Sequence, residues 1–195
     1  MTKRKNKGPH IEFTIIAGKL KNRRIKSPDL GVTRPPLSRL RKSIFDFLAP
    51  YIDGARYLDL FSGVGSYMFE AASRGALEVV GIERESRLVE SINQQADKFD
   101  LSSGLDCLEG DVFDWIVTLS VKKRLFDLVM IAPPQYLGLI DKTLKLLDSH
   151  PLLSESCLVL CQHDTSEKIN YKPENLSLWQ KRKYGNTTFT VFKRS

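Results

Sequence analysis

Tyr57-Leu58-Asp59-Leu60-Phe61-Ser62-Gly63-Val64-Gly65-Ser66 passes from a short apolar run containing one acid into a turn with two glycines, and a helical stretch follows. Apolar run, glycine turn and helix together predict one unit of an open α/β sheet, with the turn at the carboxyl end of the strand. The same alternation continues downstream. Glu78–Glu83 (EVVGIE), Leu105–Asp111 (LDCLEGD), Phe126–Pro133 (FDLVMIAP) and Cys157–Gln162 (CLVLCQ) are short apolar runs, each separated from the next by a helical stretch. Strands alternating with helices mean a mostly parallel sheet covered on both faces. After it, SLWQKRKYGNTTFTVFKRS places two alternating runs around Tyr184-Gly185-Asn186, which predicts a closing antiparallel hairpin.

Upstream, residues 11–17 (IEFTIIA) and 23–26 (RRIK) flank Gly18 and a basic turn, the pattern of a small β-hairpin. The stretch TRPPLSRLRKSIFDFLAP then sets Leu37, Leu40, Ile44, Phe47 and Leu48 at helical spacing, with Pro35 and Pro36 at the expected start and Pro50 at the expected end. The expected layout is a basic disordered tail over 1–10, a basic hairpin appendage over 11–32 and one α/β domain over 33–195.

With 195 residues, 42 % hydrophobic and 27 % charged, the chain can bury a real core. No apolar stretch approaches the roughly 20 residues of a membrane span, and the charged N-terminus has no apolar segment behind it. Cys107, Cys157 and Cys161 form no C-x-x-C pair, and the three histidines are scattered, so neither a disulfide scaffold nor a metal site is expected. A reducing cytoplasm and a monomer are the corresponding expectations.

The net charge of +7 is unevenly spread. Residues 1–43 hold 13 Lys and Arg against 2 acids, residues 44–167 hold 10 against 20, and residues 168–195 hold 7 against 1. Basic ends on an acidic middle suit a polyanion such as RNA, bound with release of counterions. Lys19, Arg23 and Arg24 of the hairpin, with Arg34, Arg39 and Arg41 before the first strand, are the expected contacts to its phosphates.

Acids fall at three successive strand ends. Asp59 lies in the first strand, Glu83 ends the second, twenty residues beyond Gly63, and Asp111 follows the third. A carboxylate in Asp59's position repels a pyrophosphate, and Met68 stands where a dinucleotide-binding turn has its third glycine, which weighs against a nicotinamide-dependent oxidoreductase. S-adenosylmethionine has a cationic amino acid end that suits Asp59 and the turn of Phe61, Ser62, Gly63 and Gly65. Its ribose hydroxyls suit Glu83 with Arg84, and its adenine suits Asp111 and Val112. Taken singly, each acid is equally a helix N-cap.

The fourth strand continues as Phe126-Asp127-Leu128-Val129-Met130-Ile131-Ala132-Pro133-Pro134-Gln135-Tyr136. It resembles the motif of amino-methyltransferases, in which Asp, Asn or Ser is followed by Pro-Pro and an aromatic residue. With the basic hairpin, TRPPLSRLRKSIFDFLAP, DLFSGVGS and FEAASRGA, the chain from about Ile11 to its last strand is similar to the RsmD-type 16S rRNA (guanine-N2) methyltransferases. The resemblance implies a Rossmann-like class I methyltransferase sheet of seven strands, S-adenosylmethionine as cofactor, and a guanine amine of small-subunit rRNA as methyl acceptor. It also implies that the motif residues hold the base, which here means Ala132, Pro133, Pro134, Gln135 and Tyr136. Two positions depart from the family pattern: Ala132 replaces the polar residue and Gln135 the aromatic. Either Gln135 and Tyr136 take over both tasks, the preferred reading because the cofactor residues are intact, or the protein binds cofactor and RNA with little turnover.

Overall fold

The computed structural model describes residues 9–31 and 38–194, so most of the expected tail, together with Arg34, Pro35, Pro36 and Leu37, lies outside the described residues. Nine strands and five helices follow in the order β1 (His10–Thr14), β2 (Arg24–Pro28), α1 (Ser38–Ile52), β3 (Arg56–Asp59), α2 (Ser66–Ser73), β4 (Glu78–Glu83), α3 (Ser86–Lys98), β5 (Leu105–Glu109), α4 (Val112–Val121), β6 (Phe126–Ile131), α5 (Leu139–Ser149), β7 (Leu153–Asp164), β8 (Leu176–Tyr184) and β9 (Thr187–Arg194).

Seven strands form one sheet in the order β5-β4-β3-β6-β7-β9-β8. The five from β5 to β7 are parallel, and β9 joins antiparallel to β7 with β8 outside it, the expected closing hairpin. Strand order reverses between β3 and β6, because the chain leaving β3 goes on to β4 on one side and the chain leaving β6 goes on to β7 on the other. That switch point is where open α/β sheets bind ligands, beyond the strand carboxyl ends. The apolar runs are buried on both faces: one face packs Tyr57, Leu128 and Leu160, the other Leu58, Val129 and Val159. The outermost strand β8 carries exposed Lys181, Arg182 and Lys183, charges that discourage pairing with another edge.

The N-terminal hairpin forms its own two-stranded sheet, but Phe13, Ile15 and Ile25 enter the same core as α1 and α2. Polar bonds staple it further. Ile16 N–H donates to Glu70 Oε1 at 2.7 Å, Lys19 N–H to the Ser73 carbonyl at 2.7 Å, and Ser73 Oγ–H to the Ala17 carbonyl at 2.6 Å.

Helix α1 departs from its expectation in two ways. It runs through Pro50 to Ile52, and Asp46, whose carbonyl loses its helical partner at Pro50, is an exposed residue. Its buried face is Leu40, Arg41, Ile44, Phe45, Leu48 and Ile52, so Phe45 takes the core position expected for Phe47. Arg41 is therefore removed from the RNA-facing set: it is 1 % exposed, pairs with Glu70 at 3.2 Å and donates to the Thr14 carbonyl.

Candidate cofactor and substrate site

A cavity of about 500 Å³ opens at the carboxyl edge of the sheet, across the switch point. From the expected site it takes in Phe61, Gly63, Glu83, Arg84, Asp111, Val112, Ala132, Pro133 and Pro134. Four elements that are distant in sequence thus converge on one space, with two of the three strand-end acids, Glu83 and Asp111, in its lining.

Gly63 has φ 52°, and its N–H donates to Glu83 Oε2 at 2.8 Å. Glu83 Oε1 accepts from the N–H groups of Arg84 (2.9 Å) and Glu85 (3.0 Å), so its carboxylate is held across the mouth of the turn by three backbone donors. Each carboxylate oxygen offers two lone-pair sites, and Oε2 keeps one free for a ligand hydroxyl. Asp111 serves two roles at once. Its Oδ1 caps α4 by accepting from Phe113 N–H at 2.9 Å, and its Oδ2 lies 3.8 Å from the Arg84 guanidinium, which reaches over from the end of β4. Val112 and Phe61 supply apolar walls.

Asp59, Ser62 and Gly65 lie outside the cavity lining. Ser62 Oγ–H donates to the Asp59 carbonyl at 3.1 Å, which tightens the turn. Gly65, at φ 75°, faces Ile92, where a Cβ would come within 2.9 Å, so this glycine serves helix packing. Asp59 is wholly buried, and neither of its oxygens completes a hydrogen bond. Burial pushes its carboxyl up to about 7, the backbone N–H of Phe61 opposes the rise, and the charge of Glu83 adds to it. A buried acid without a partner is the arrangement a cationic ligand group would complete.

At the motif, the cavity takes in Ala132, Pro133 and Pro134 but neither Gln135 nor Tyr136. Tyr136 has φ 62°, donates its N–H to Glu167 Oε1 at 3.2 Å and sets its hydroxyl 3.4 Å from Ser166 Oγ, so the ring is tied to the segment after β7. The cavity also uses Glu85, Leu88, Phe113, Leu139 and Gln162, which sequence reasoning missed. Gln162 carried a signal, being the polar residue that ends the apolar run of β7 as the acids end β4 and β5.

Lys19, Arg23, Arg24 and Arg39 are exposed. They do not share one edge. Helix α2 runs from the glycine turn back to the amino edge of the sheet, and Lys19 is bonded at its far end, Ser73. The basic turn is therefore about 12 Å from the cavity edge, the length of this eight-residue helix. Arg39, in the first turn of α1, lies toward the cavity edge.

The profile of the family described as conserved hypothetical protein 95 matches residues 13–193. The chain belongs to this family. Over 195 aligned residues it is 27 % identical to the ribosomal RNA small subunit methyltransferase D of Escherichia coli strain K12, covering 98 % of this chain and 95 % of that protein. The fold is shared with a solved Escherichia coli protein at TM-score 0.83 and 24 % identity, covering 94 % and 98 % of the two chains. An RNA methyltransferase of Salinibacter ruber, solved with S-adenosyl-L-homocysteine, superposes at TM-score 0.61 with 18 % identity, covering 82 % and 93 %. For this member of the conserved hypothetical protein 95 family, the doubly wound sheet is thus a methyltransferase fold.

Proposed function

We propose that the protein transfers a methyl group from S-adenosylmethionine to the exocyclic N2 of a guanine in small-subunit (16S) ribosomal RNA. The observation that carries this reading is the single cavity in which the Glu83 and Asp111 carboxylates meet the Ala132-Pro133-Pro134 segment. The small-subunit rRNA methyltransferases among its relatives support the substrate class.

The residues present fit the cofactor. Glu83 would accept from the ribose hydroxyls, Asp111 from the adenine amine with Val112 against the ring, and the partnerless Asp59 would answer the cationic amino end. When bound, the cofactor supplies a methyl group on a sulfonium that is already a good leaving group. The task left to the protein is to hold the guanine amine in line with that methyl. Pro133 and Pro134 donate no backbone N–H, so their carbonyls, with that of Ala132, are the local acceptors for the amine. The guanine has to be unpaired or flipped to enter.

The RNA would be held over a wide face by Lys19, Arg23, Arg24 and Arg39, with the tail over 1–10 and the hairpin over 11–32 as basic arms on the domain over 33–195, acting as a monomer in the cytoplasm.

The test is to incubate the protein with methyl-labelled S-adenosylmethionine and small subunits lacking guanine-N2 methylation, then digest the RNA. Label in N2-methylguanosine is the expected result. Cofactor binding without label in any nucleoside would favour a binding protein with little turnover, the reading that Ala132 keeps open. Label in another nucleoside would overturn the guanine assignment alone.

A further inference from the structure

Ala132 leaves the substrate side of the cavity without the side-chain hydrogen bond expected there, and the lining shows what remains. Its polar side chains divide by position in the sheet. Glu83, Arg84 and Glu85 come from the end of β4, and Asp111 from the end of β5, on one side of β3. On the other side, where β6 and β7 end, the described lining is Ala132, Pro133, Pro134, Leu139 and Gln162. Gln162 is the polar side chain of that half.

Its position is set by register. Ile131 pairs with Cys161, so Ala132 and Gln162 are the next residues of two adjacent parallel strands. Its orientation is set by Tyr67 on α2, whose hydroxyl donates to Gln162 Oε1 at 2.6 Å. Tyr67 is 5 % exposed, and a buried tyrosine hydroxyl needs such a partner. With Oε1 committed to Tyr67, the amide's NH2 group is the free end, and it makes no hydrogen bond within the described protein.

We infer that Gln162, oriented by Tyr67, donates a substrate-facing hydrogen bond to a ring nitrogen next to the reacting exocyclic amine, on the half of the cavity where Ala132 offers no polar side chain, while the backbone carbonyls accept from the amine itself. On guanine that acceptor is N3, which neighbours N2. The inference rests on the proposed methyl transfer to a guanine amine. In it Gln162 touches the base, while Tyr67 is a positioning residue that acts through Gln162. The side chain that orients the base thus stands at the end of β7, beside the small Ala132 at the end of β6.

The experiment is steady-state methyl transfer to small subunits by wild type, Gln162→Ala, Gln162→Glu, Tyr67→Phe and the double variant Gln162→Ala with Ala132→Asn, alongside the Kd for S-adenosylmethionine. Gln162→Ala is expected to lower kcat about 10-fold, the worth of one hydrogen bond, with cofactor Kd unchanged. Gln162→Glu, which keeps an acceptor for Tyr67 but loses the NH2, should be as impaired. Tyr67→Phe should fall between, and Ala132→Asn should restore part of the rate in the Gln162→Ala background. Wild-type kcat in Gln162→Ala overturns the inference. So does a rate loss matched by an equal loss of cofactor affinity, which would assign Gln162 to the cofactor. If the wild type transfers no methyl, the functional reading fails by itself. Gln162 is then judged by rRNA affinity in the presence of S-adenosylhomocysteine: weaker binding by Gln162→Ala supports the contact and equal binding overturns it.

Discussion

Asp59 and Glu70 are both carboxylates with no exposure to solvent, eleven residues apart, and the fold treats them in opposite ways. Glu70 Oε1 accepts from Ile16 N–H at 2.7 Å and from Arg41 Nε at 3.2 Å, and its Oε2 accepts from Arg74 Nε at 3.3 Å. Among the described residues no side chain pairs with Asp59, the Phe61 backbone N–H only partly offsets its burial, and its carboxyl is pushed up to about 7. A charge inside a protein is tolerated when the chain compensates it and costly when it does not. Glu70 is compensated from the hairpin, α1 and its own helix, so it joins three elements. Asp59, behind the glycine turn, is left uncompensated by the chain, and under the proposed function the cationic end of the cofactor would supply what is missing.

The contrast can be broken most severely at Glu70. Glu70→Ala leaves the Arg41 guanidinium buried without its counter-charge, and Arg41 Nη1 already lacks a partner. The expected loss is about 3–5 kcal/mol in urea unfolding, with faster amide exchange at Ile16 and Lys19 as the hairpin loosens. A loss under about 1 kcal/mol would mean that the apolar contacts of Phe13, Ile15 and Ile25 suffice to hold the hairpin.

Asp59→Asn should act in the other direction, and with a pH signature. The folded-state pKa near 7 lies above the ordinary carboxylate value near 4, so the folded protein binds more protons than the unfolded chain between them. Asp59's contribution to stability is therefore fully present below about pH 4, is lost as pH rises towards 7, and levels off above that. The asparagine variant lacks this fall. A three-unit shift corresponds to about 4 kcal/mol, less about 1–3 kcal/mol for the unsatisfied amide, so Asp59→Asn should be about 1–3 kcal/mol more stable than wild type at pH 8 without cofactor. It should also bind S-adenosylmethionine more weakly. Parallel stability curves for the two proteins from pH 4 to 8 would remove the distinction between Asp59 and Glu70.

The smallest effects belong to the exposed cations. Lys19→Ala with Arg23→Ala should change stability by less than about 0.5 kcal/mol, in contrast to Glu70→Ala. The slope of log affinity for rRNA against log salt should become shallower by about 1–2, one phosphate contact or less per side chain. An unchanged slope would remove Lys19 and Arg23 from the RNA contacts and leave those contacts to the other basic residues.

Arg41 shows why these outcomes were only partly legible in the residues. Its spacing in RLRKSIFDF places it among solvated arginines, yet its side chain enters the core because Glu70, twenty-nine residues later, is brought beneath it. Local periodicity carries no record of a partner that distant. Phe45 and Phe47 exchanged places for a related reason: two aromatic residues two apart fit the helical stripe about equally, and contact with Tyr57 and Tyr67 selects Phe45. Asp111 kept both of its sequence readings, since capping α4 occupies one oxygen and leaves the other facing Arg84.

The sequence by itself determined the alternation of strands and helices, the closing hairpin, the glycine turn and the acids at strand ends, because each is written in nearest neighbours: burial on both faces of a strand, or a φ that a side chain would strain. Tertiary structure alone decided which buried charges the chain compensates and which it does not. It also tied Tyr136 to the segment after β7 and set Gln162 beside Ala132. These depend on the order of strands in the sheet and on contacts between elements far apart in the chain, which exist only once the sheet has assembled.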